Sequence, residues 1–192
     1  MIIFCIAFSI LTSLQEQIPN DIREAAERGN AQAQFELADW YYENDNERAV
    51  YWLRKAAEQE HAEAQYSLGF FYEQGIGVDK NETKALYWWR KAAEQEHPEA
   101  QFDLGLSYMI TQDYAQAIHW MRKAAEQRYA EAQYFLGLFY SHGAGIDVNY
   151  DMALYWYELA IANGLSGDSK TNAENDIKHL TEQGYCSCRI RL

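Results

Sequence analysis

The side chains whose chemistry would show first in this 192-residue chain are five histidines and three cysteines. His61 and His97 occupy the same place in two near-identical stretches, AEQEHAEAQ and AEQEHPEAQ, so they are recurring turn residues rather than paired ligands. His142 precedes Gly143 at an expected helix end, and His119 and His179 stand singly. Glu58, Glu94 and Glu126 also recur at one position, where charge forms a solvated face. No Ser/His/Asp set, Cys/His nucleophile or carboxylate pair stands apart from the repetition, so no catalytic residue, metal site or cofactor is predicted. Cys186 and Cys188, in the tail GYCSCRIRL, lack the two further ligands that zinc needs, and a bond between them would close a tight ring. They are expected to be thiols of an unstructured tail. The stretches Gly75-Ile76-Gly77-Val78 and Gly143-Ala144-Gly145-Ile146 lack the preceding strand and the Gly-Lys-Ser/Thr of a phosphate loop. Their glycines supply positive φ for a reversal of direction, with Val78 and Ile146 plugging the loop base.

The elements that would position any site come from internal repetition. The stretch 62–97, AEAQYSLGFFYEQGIGVDKNETKALYWWRKAAEQEH, is rewritten at 31–61, 98–129 and 130–165. Only the middle of each copy varies in length: Tyr72 to Ala85 and Tyr140 to Ala153 are longer than Tyr41 to Ala49 and Tyr108 to Ala117. The middle is therefore a loop and the flanks are fixed elements. Ala64, Leu68 and Tyr72 recur at i, i+4, i+8, and Ala85, Trp89 and Ala92 at i, i+4, i+7, each placing one apolar stripe on a helix. Strand-length alternation is absent. The expected fold class is all-α.

The pattern A-x-A-Q-x-x-L-G-x-x-Y, then G-x-G-V or G-x-G-I, then K-A-x-x-W and K-A-A, resembles the Sel1-like repeat, a relative of the tetratricopeptide repeat. The resemblance covers roughly residues 21 to 183 and implies an α/α solenoid: helix-turn-helix units stacked as a right-handed superhelix, acting as an adaptor in protein assemblies. One departure is that Glu60, Glu96 and Arg128 stand where the family places Gly after the second helix, as Gly29 and Gly164 do here. Such residues at positive φ cost about 1 kcal/mol each. The chain also lacks the cysteines that give some family members a disulfide in every repeat.

The resemblance implies a concave wall made by first-helix positions flanking the packing stripe. In the first copy these are Gln32, Phe35, Asp39, Tyr42 and Glu43; in the second Glu63, Tyr66, Phe70, Glu73 and Gln74. The third copy supplies Glu99, Phe102, Leu106, Met109 and Ile110, the fourth Glu131, Tyr134, Leu138, Ser141 and His142. Phe35, Tyr66, Phe102 and Tyr134 would form an aromatic ladder bordered by carboxylates, suited to a protein or peptide with apolar side chains and Lys or Arg. The net charge of −13, from 29 acidic and 16 basic side chains, opposes nucleic acid and favours a basic partner. A monomer or weak oligomer is expected. The finer expectation from the resemblance is a bacterial envelope scaffold or a toxin-immunity protein. The alternative is a cell-wall or β-lactam hydrolase, an activity linked to cysteine-rich relatives.

At the front, Met1 to Leu14 is apolar and uncharged but too short to span a bilayer. It has the length of a secretory signal's apolar part, which points to export to a periplasm, with a cytoplasmic chain and a buried N-terminal helix as the alternative. Residues 1–19 form this segment and a linker. Asp21 is expected to cap a helix from Ile22 to Arg28, so that 20–30 is a half-repeat closing the front of the stack. After a polar linker from Ser166 to Lys170, a capping helix is expected over 171–183, with Ala173, Ile177 and Leu180 on its apolar face, followed by a tail over 184–192.

Overall fold

The computed structural model describes residues 18–42 and 44–190. Among them are ten α-helices, one 3₁₀ turn and no strand. Helix α1 (Asn20–Glu27) precedes four helix pairs: α2 (Ala31–Tyr42) with α3 (Asn46–Ala57), α4 (Ala62–Gln74) with α5 (Glu82–Glu94), α6 (Pro98–Ile110) with α7 (Tyr114–Glu126), and α8 (Ala130–His142) with α9 (Tyr150–Ala162). Helix α10 (Gly167–Glu182) and the 3₁₀ turn Ser187–Arg189 follow. This is the all-α, α/α-repeat class expected. The chain divides into two compact units, one ending at Ala85 and the other beginning at Leu86. Within the first, α1 packs on α2, α2 on α3 and α3 on α4; within the second, α6 to α10 pack in the same consecutive order.

Each second helix is entered through the same pinned connection. The residue preceding α3, α5, α7 and α9 (Asp45, Asn81, Asp113, Asn149) donates its backbone N–H to the carbonyl of Tyr41, Tyr72, Tyr108 or Tyr140 at 2.7–2.9 Å. Its side chain then accepts the amide of Arg48, Lys84, Gln116 or Met152, three residues on. A loop of any length can be inserted between two points fixed this way, which is why only the middle of the repeat varies. In the longer loops Gly75 and Gly143, both at φ 72°, close α4 and α8 in the left-handed region. The short third connection instead uses Gln112 at φ 62°, a position that neither composition nor spacing singles out.

The ends of the second helices reuse one motif. Gly29, Glu60, Glu96, Arg128 and Gly164 all have positive φ, so the three non-glycine residues adopt the same left-handed turn as the glycines. The amide that follows each returns five residues back, as in His61 to Ala56 at 3.3 Å and Leu165 to Ala160 at 2.9 Å.

Small residues let the helices approach. A side-chain carbon on Gly105 would press on Met121, and one on Gly137 would enter the Tyr157 ring. Between repeats, a buried glutamine does the joining. Gln34, Gln65, Gln101 and Gln133 are at most 3% exposed, and their Nε2 atoms donate to the carbonyls of Ala26, Ala57, Ala93 and Ala125 at 2.9–3.1 Å. The Oε1 atoms of Gln34, Gln101 and Gln133 accept from Gln59, Gln127 and Asn163. Each first helix is thereby tied to the second helix before it. An arginine repeats the stitch in the other direction: Arg54, Arg90 and Arg122 donate to the hydroxyls of Tyr72, Tyr108 and Tyr140.

The two ends of the described chain differ from expectation. Helix α1 begins at Asn20 after Pro19, without a side-chain cap, so Asp21 is a first-turn acid and not the cap. Helix α10 starts at Gly167, four residues earlier than predicted, and absorbs the expected linker; Ala173 and Leu180 are buried as anticipated. Residues 185–190 are packed on α9 rather than unstructured. Tyr185 meets Tyr150 at 4.7 Å, the Cys186 amide donates to Asp151 at 2.7 Å, and the Ser187 hydroxyl donates to Glu158 at 2.6 Å. Cys186 and Cys188 are joined as a disulfide, which corrects the reading of free thiols: side-chain acceptors on α9 hold the turn that brings them together. The apolar segment Met1 to Leu14 lies outside the described residues. No helix of the described residues is long and apolar enough to cross a membrane.

Candidate functional site

In the first unit, the first helices bring five predicted residues together. Phe35, Asp39 and Tyr42, at i, i+4, i+7 of α2, face Tyr66 and Phe70 of α4 around an open depression of about 240 Å³. Ala38, Leu53 and Phe71 supply further apolar lining. Tyr42 and Phe70 are 45% and 38% exposed, so the rim is open to a partner. Their positions are braced from behind: Tyr42 meets Phe71 at 5.5 Å, and Phe35 stacks on His61 at 5.1 Å. His61 is held in turn, since its Nδ1 accepts the Ala64 amide and its Nε2 lies 2.9 Å from Gln32 Oε1. That pattern assigns the proton to Nε2. Glu63, whose carboxylate is 3.4 Å from Nδ1, then forms an ion pair only if the ring gains a second proton. Glu73 does not line the depression and accepts from Gln74 at 2.6 Å, and Glu43 is outside the described residues.

The second unit carries a related aromatic patch. Phe102 meets Tyr129 at 5.2 Å and Phe135 edge-on at 5.6 Å. Glu99 and Glu131, with Asp103, surround Tyr129. Burial first, then the fields of Glu131, Glu99 and Asp103, push its hydroxyl up to about 12. Tyr129, which stands where the earlier copies have histidine and cannot cap α8 as they cap α4 and α6, was not among the predicted residues. The substitution of His by Tyr at that recurring place is the signal that could have found it. Leu106 and Met109 are half-buried against the cluster around Met121, while the adjoining Ile110 is 79% exposed.

The fourth copy does not extend the ladder. Tyr134 is only 8% exposed, its ring 5.8 Å from that of Tyr157. Burial raises its hydroxyl pKa, Asp176 adds to this, and a hydrogen bond with Asn172 lowers it. The expectation that Tyr134 stands on an open wall is thus corrected: the capping helix α10 supplies Asn172 and Asp176 where a further repeat would stack. Leu138 is half-buried in the same cluster. His142 is exposed at the end of α8, its Nδ1 near Ser141 Oγ (2.8 Å) and the Leu138 carbonyl (3.0 Å).

Among the described residues, no group of three or more His, Cys, Asp and Glu side chains could hold a metal ion. The arrangement is one of contact surfaces: rings on helix faces with carboxylates at their edges.

Comparison with known proteins agrees with this architecture. The family model of the Sel1 repeat matches residues 31–61, 62–97, 98–129 and 130–165. No curated protein matches the chain. Among solved structures, the protective antigen c5321 of uropathogenic Escherichia coli, which displays an SLR fold, is 32% identical with a TM-score of 0.81, covering 88% of this chain and 37% of its own. A Sel1 repeat protein from Oxalobacter formigenes is 33% identical with a TM-score of 0.74, covering 83% of this chain and 47% of its own. The chain therefore spans less than half the length of either. The immunity protein PA5088 of Pseudomonas aeruginosa, 21% identical at a TM-score of 0.52 and covering 84% of this chain and 72% of its own, shares the fold. Four consecutive matches, laid on the same helix pairs that the structure shows, place this chain in the Sel1 repeat family, whose fold is generally a protein-interaction scaffold.

Proposed function

We propose that this protein is an interaction scaffold whose first-helix face docks a protein segment bearing apolar side chains flanked by Lys or Arg. The observation that carries this reading is the depression between α2 and α4. At about 240 Å³ it is below the roughly 300–1,000 Å³ of small-molecule sites, a size for one or two anchoring side chains. Its aromatic rim offers contact area at little entropic cost, and Asp39 stands among the rings to pair with a cation. The Glu99, Asp103 and Glu131 carboxylates around Tyr129 repeat that chemistry in the second unit, where a guanidinium over a ring gains on the order of 1 kcal/mol.

The test is fluorescence anisotropy with a labelled peptide of alternating Leu and Lys pairs. Wild type should bind it, and Tyr42→Ala/Phe70→Ala, which alters exposed rims and spares the core, should weaken binding by at least about tenfold. Equal affinities for wild type and variant would remove this face from the account.

In its finer form the docked segment belongs to a toxin that the protein neutralises, or to an envelope complex that it organises, on the far side of a membrane. That form rests on Met1 to Leu14 acting as an export signal. N-terminal sequencing of the protein from fractionated bacteria tests it: a periplasmic product lacking those residues is expected, and an intact start in the cytosol contradicts it.

A further inference from the structure

We infer that the second-helix side of the second unit carries another docking site, a groove between α7 and α9 that takes a carboxylate-bearing peptide segment. The groove encloses about 540 Å³, more than a lone small anion needs, with Arg122, Glu126 and Arg128 on one side and Tyr155 and Trp156 on the other. Its floor is already satisfied: Gln133 donates to the Ala125 carbonyl and accepts from Asn163, so neither calls for a ligand.

What is left over is donors. The backbone amide of Arg128 donates to the Ala125 carbonyl at 3.0 Å, but its guanidinium makes no hydrogen bond or ion pair among the described residues, and the residue holds φ 67°, a conformation in which glycine is at ease and arginine is strained. Arg122 commits one nitrogen to the Tyr140 hydroxyl at 3.4 Å and keeps the rest of its fork. The Trp156 indole N–H is buried and finds no acceptor. Trp120, one repeat earlier, is likewise unpaired, so the indole alone would not single out this groove. The two guanidiniums do. Against them stands the single carboxylate of Glu126, so an acceptor-only ligand such as an Asp or Glu side chain fits, with apolar neighbours lying against Tyr155. The net charge of −13 does not forbid this, because at physiological salt charges beyond about 8 Å are largely screened and the local balance decides.

The probe is a fluorescein-labelled peptide of sequence Glu-Glu-Leu-Glu-Glu-Leu, titrated by anisotropy against the full chain. Binding is expected, weakened at least about fivefold in 0.5 M salt. Arg128→Gly should weaken it by a similar factor while leaving the unfolding midpoint unchanged or higher, since glycine relieves the backbone; a loss of binding then cannot be a loss of fold. Arg122→Gln should also weaken it. Failure of the acidic peptide to bind, or unaltered affinity in Arg128→Gly, would overturn the proposal. Tyr42→Ala/Phe70→Ala should leave this peptide's affinity unchanged, and a loss there would place it on the first-helix face instead, which also overturns the assignment.

Discussion

Gln133 is fully buried in a helix that is otherwise apolar on that side, and both ends of its amide are engaged. Replacing it with leucine keeps the bulk and removes two hydrogen bonds, one to the Ala125 carbonyl, which still accepts the Arg128 amide, and one from the half-buried Asn163 Nδ2. A typical hydrogen bond contributes about 0.5–1.5 kcal/mol net, so Gln133→Leu should destabilise by about 1–2 kcal/mol in urea unfolding with an unchanged slope. Tyr129 gives a second outcome at this scale. Its folded pKa is raised to about 12 from an ordinary value of 10.0, so the folded state keeps a proton that the unfolded state loses. Its stabilising effect is intact below pH 10 and is lost as pH rises towards 12. Thermal melts of wild type should therefore decline more steeply across that window than those of Tyr129→Phe; parallel declines would show that the hydroxyl is not responsible. The recurrence of Gln after A-x-A was visible in the sequence, but its partner was not. The contact reaches back eight residues across a turn, and no helical period predicts that.

At the scale of elements, the helices and the place where loop length varies were legible because each repeat presents the same stripes and the same variable middle. The positive φ of Glu60, Glu96 and Arg128 was also legible, by aligning them with Gly29 and Gly164. Glu60 is exposed, so glycine there should relieve backbone strain without removing packing. Glu60→Gly is expected to raise stability by about 0.5–1 kcal/mol, seen as a higher urea midpoint, whereas a lower midpoint would mean that the glutamate makes a stabilising contact. The start of α10 was not legible: Ser166, Gly167 and Asp168 have the composition of a linker, and the helix begins there without a side-chain cap to announce it. The packed tail was missed for a related reason. Its acceptors, Asp151 and Glu158, sit on α9, more than twenty-five residues earlier.

At the scale of the whole molecule, the repeat predicted which first-helix residues share a face but not where that face is covered. Phe35, Asp39, Tyr42, Tyr66 and Phe70 converge on one depression, because equivalent positions of successive first helices lie side by side. Tyr134 occupies the equivalent position in the last repeat and is covered, since a terminal repeat needs a cap and α10 packs there. Charge distinguishes the two proposed sites: rings with carboxylates on the first helices, and two guanidiniums, one of them also bonded to Tyr140, between α7 and α9. The central claim is that a partner enters through the first-helix face, and photo-crosslinking tests it most directly. A Leu/Lys peptide carrying a benzophenone beside one Leu would be crosslinked to the protein and mapped by mass spectrometry. Crosslinks within 31–42 and 62–74 that vanish in Tyr42→Ala/Phe70→Ala are predicted; crosslinks confined to the second helices, or unchanged in the variant, would contradict the account.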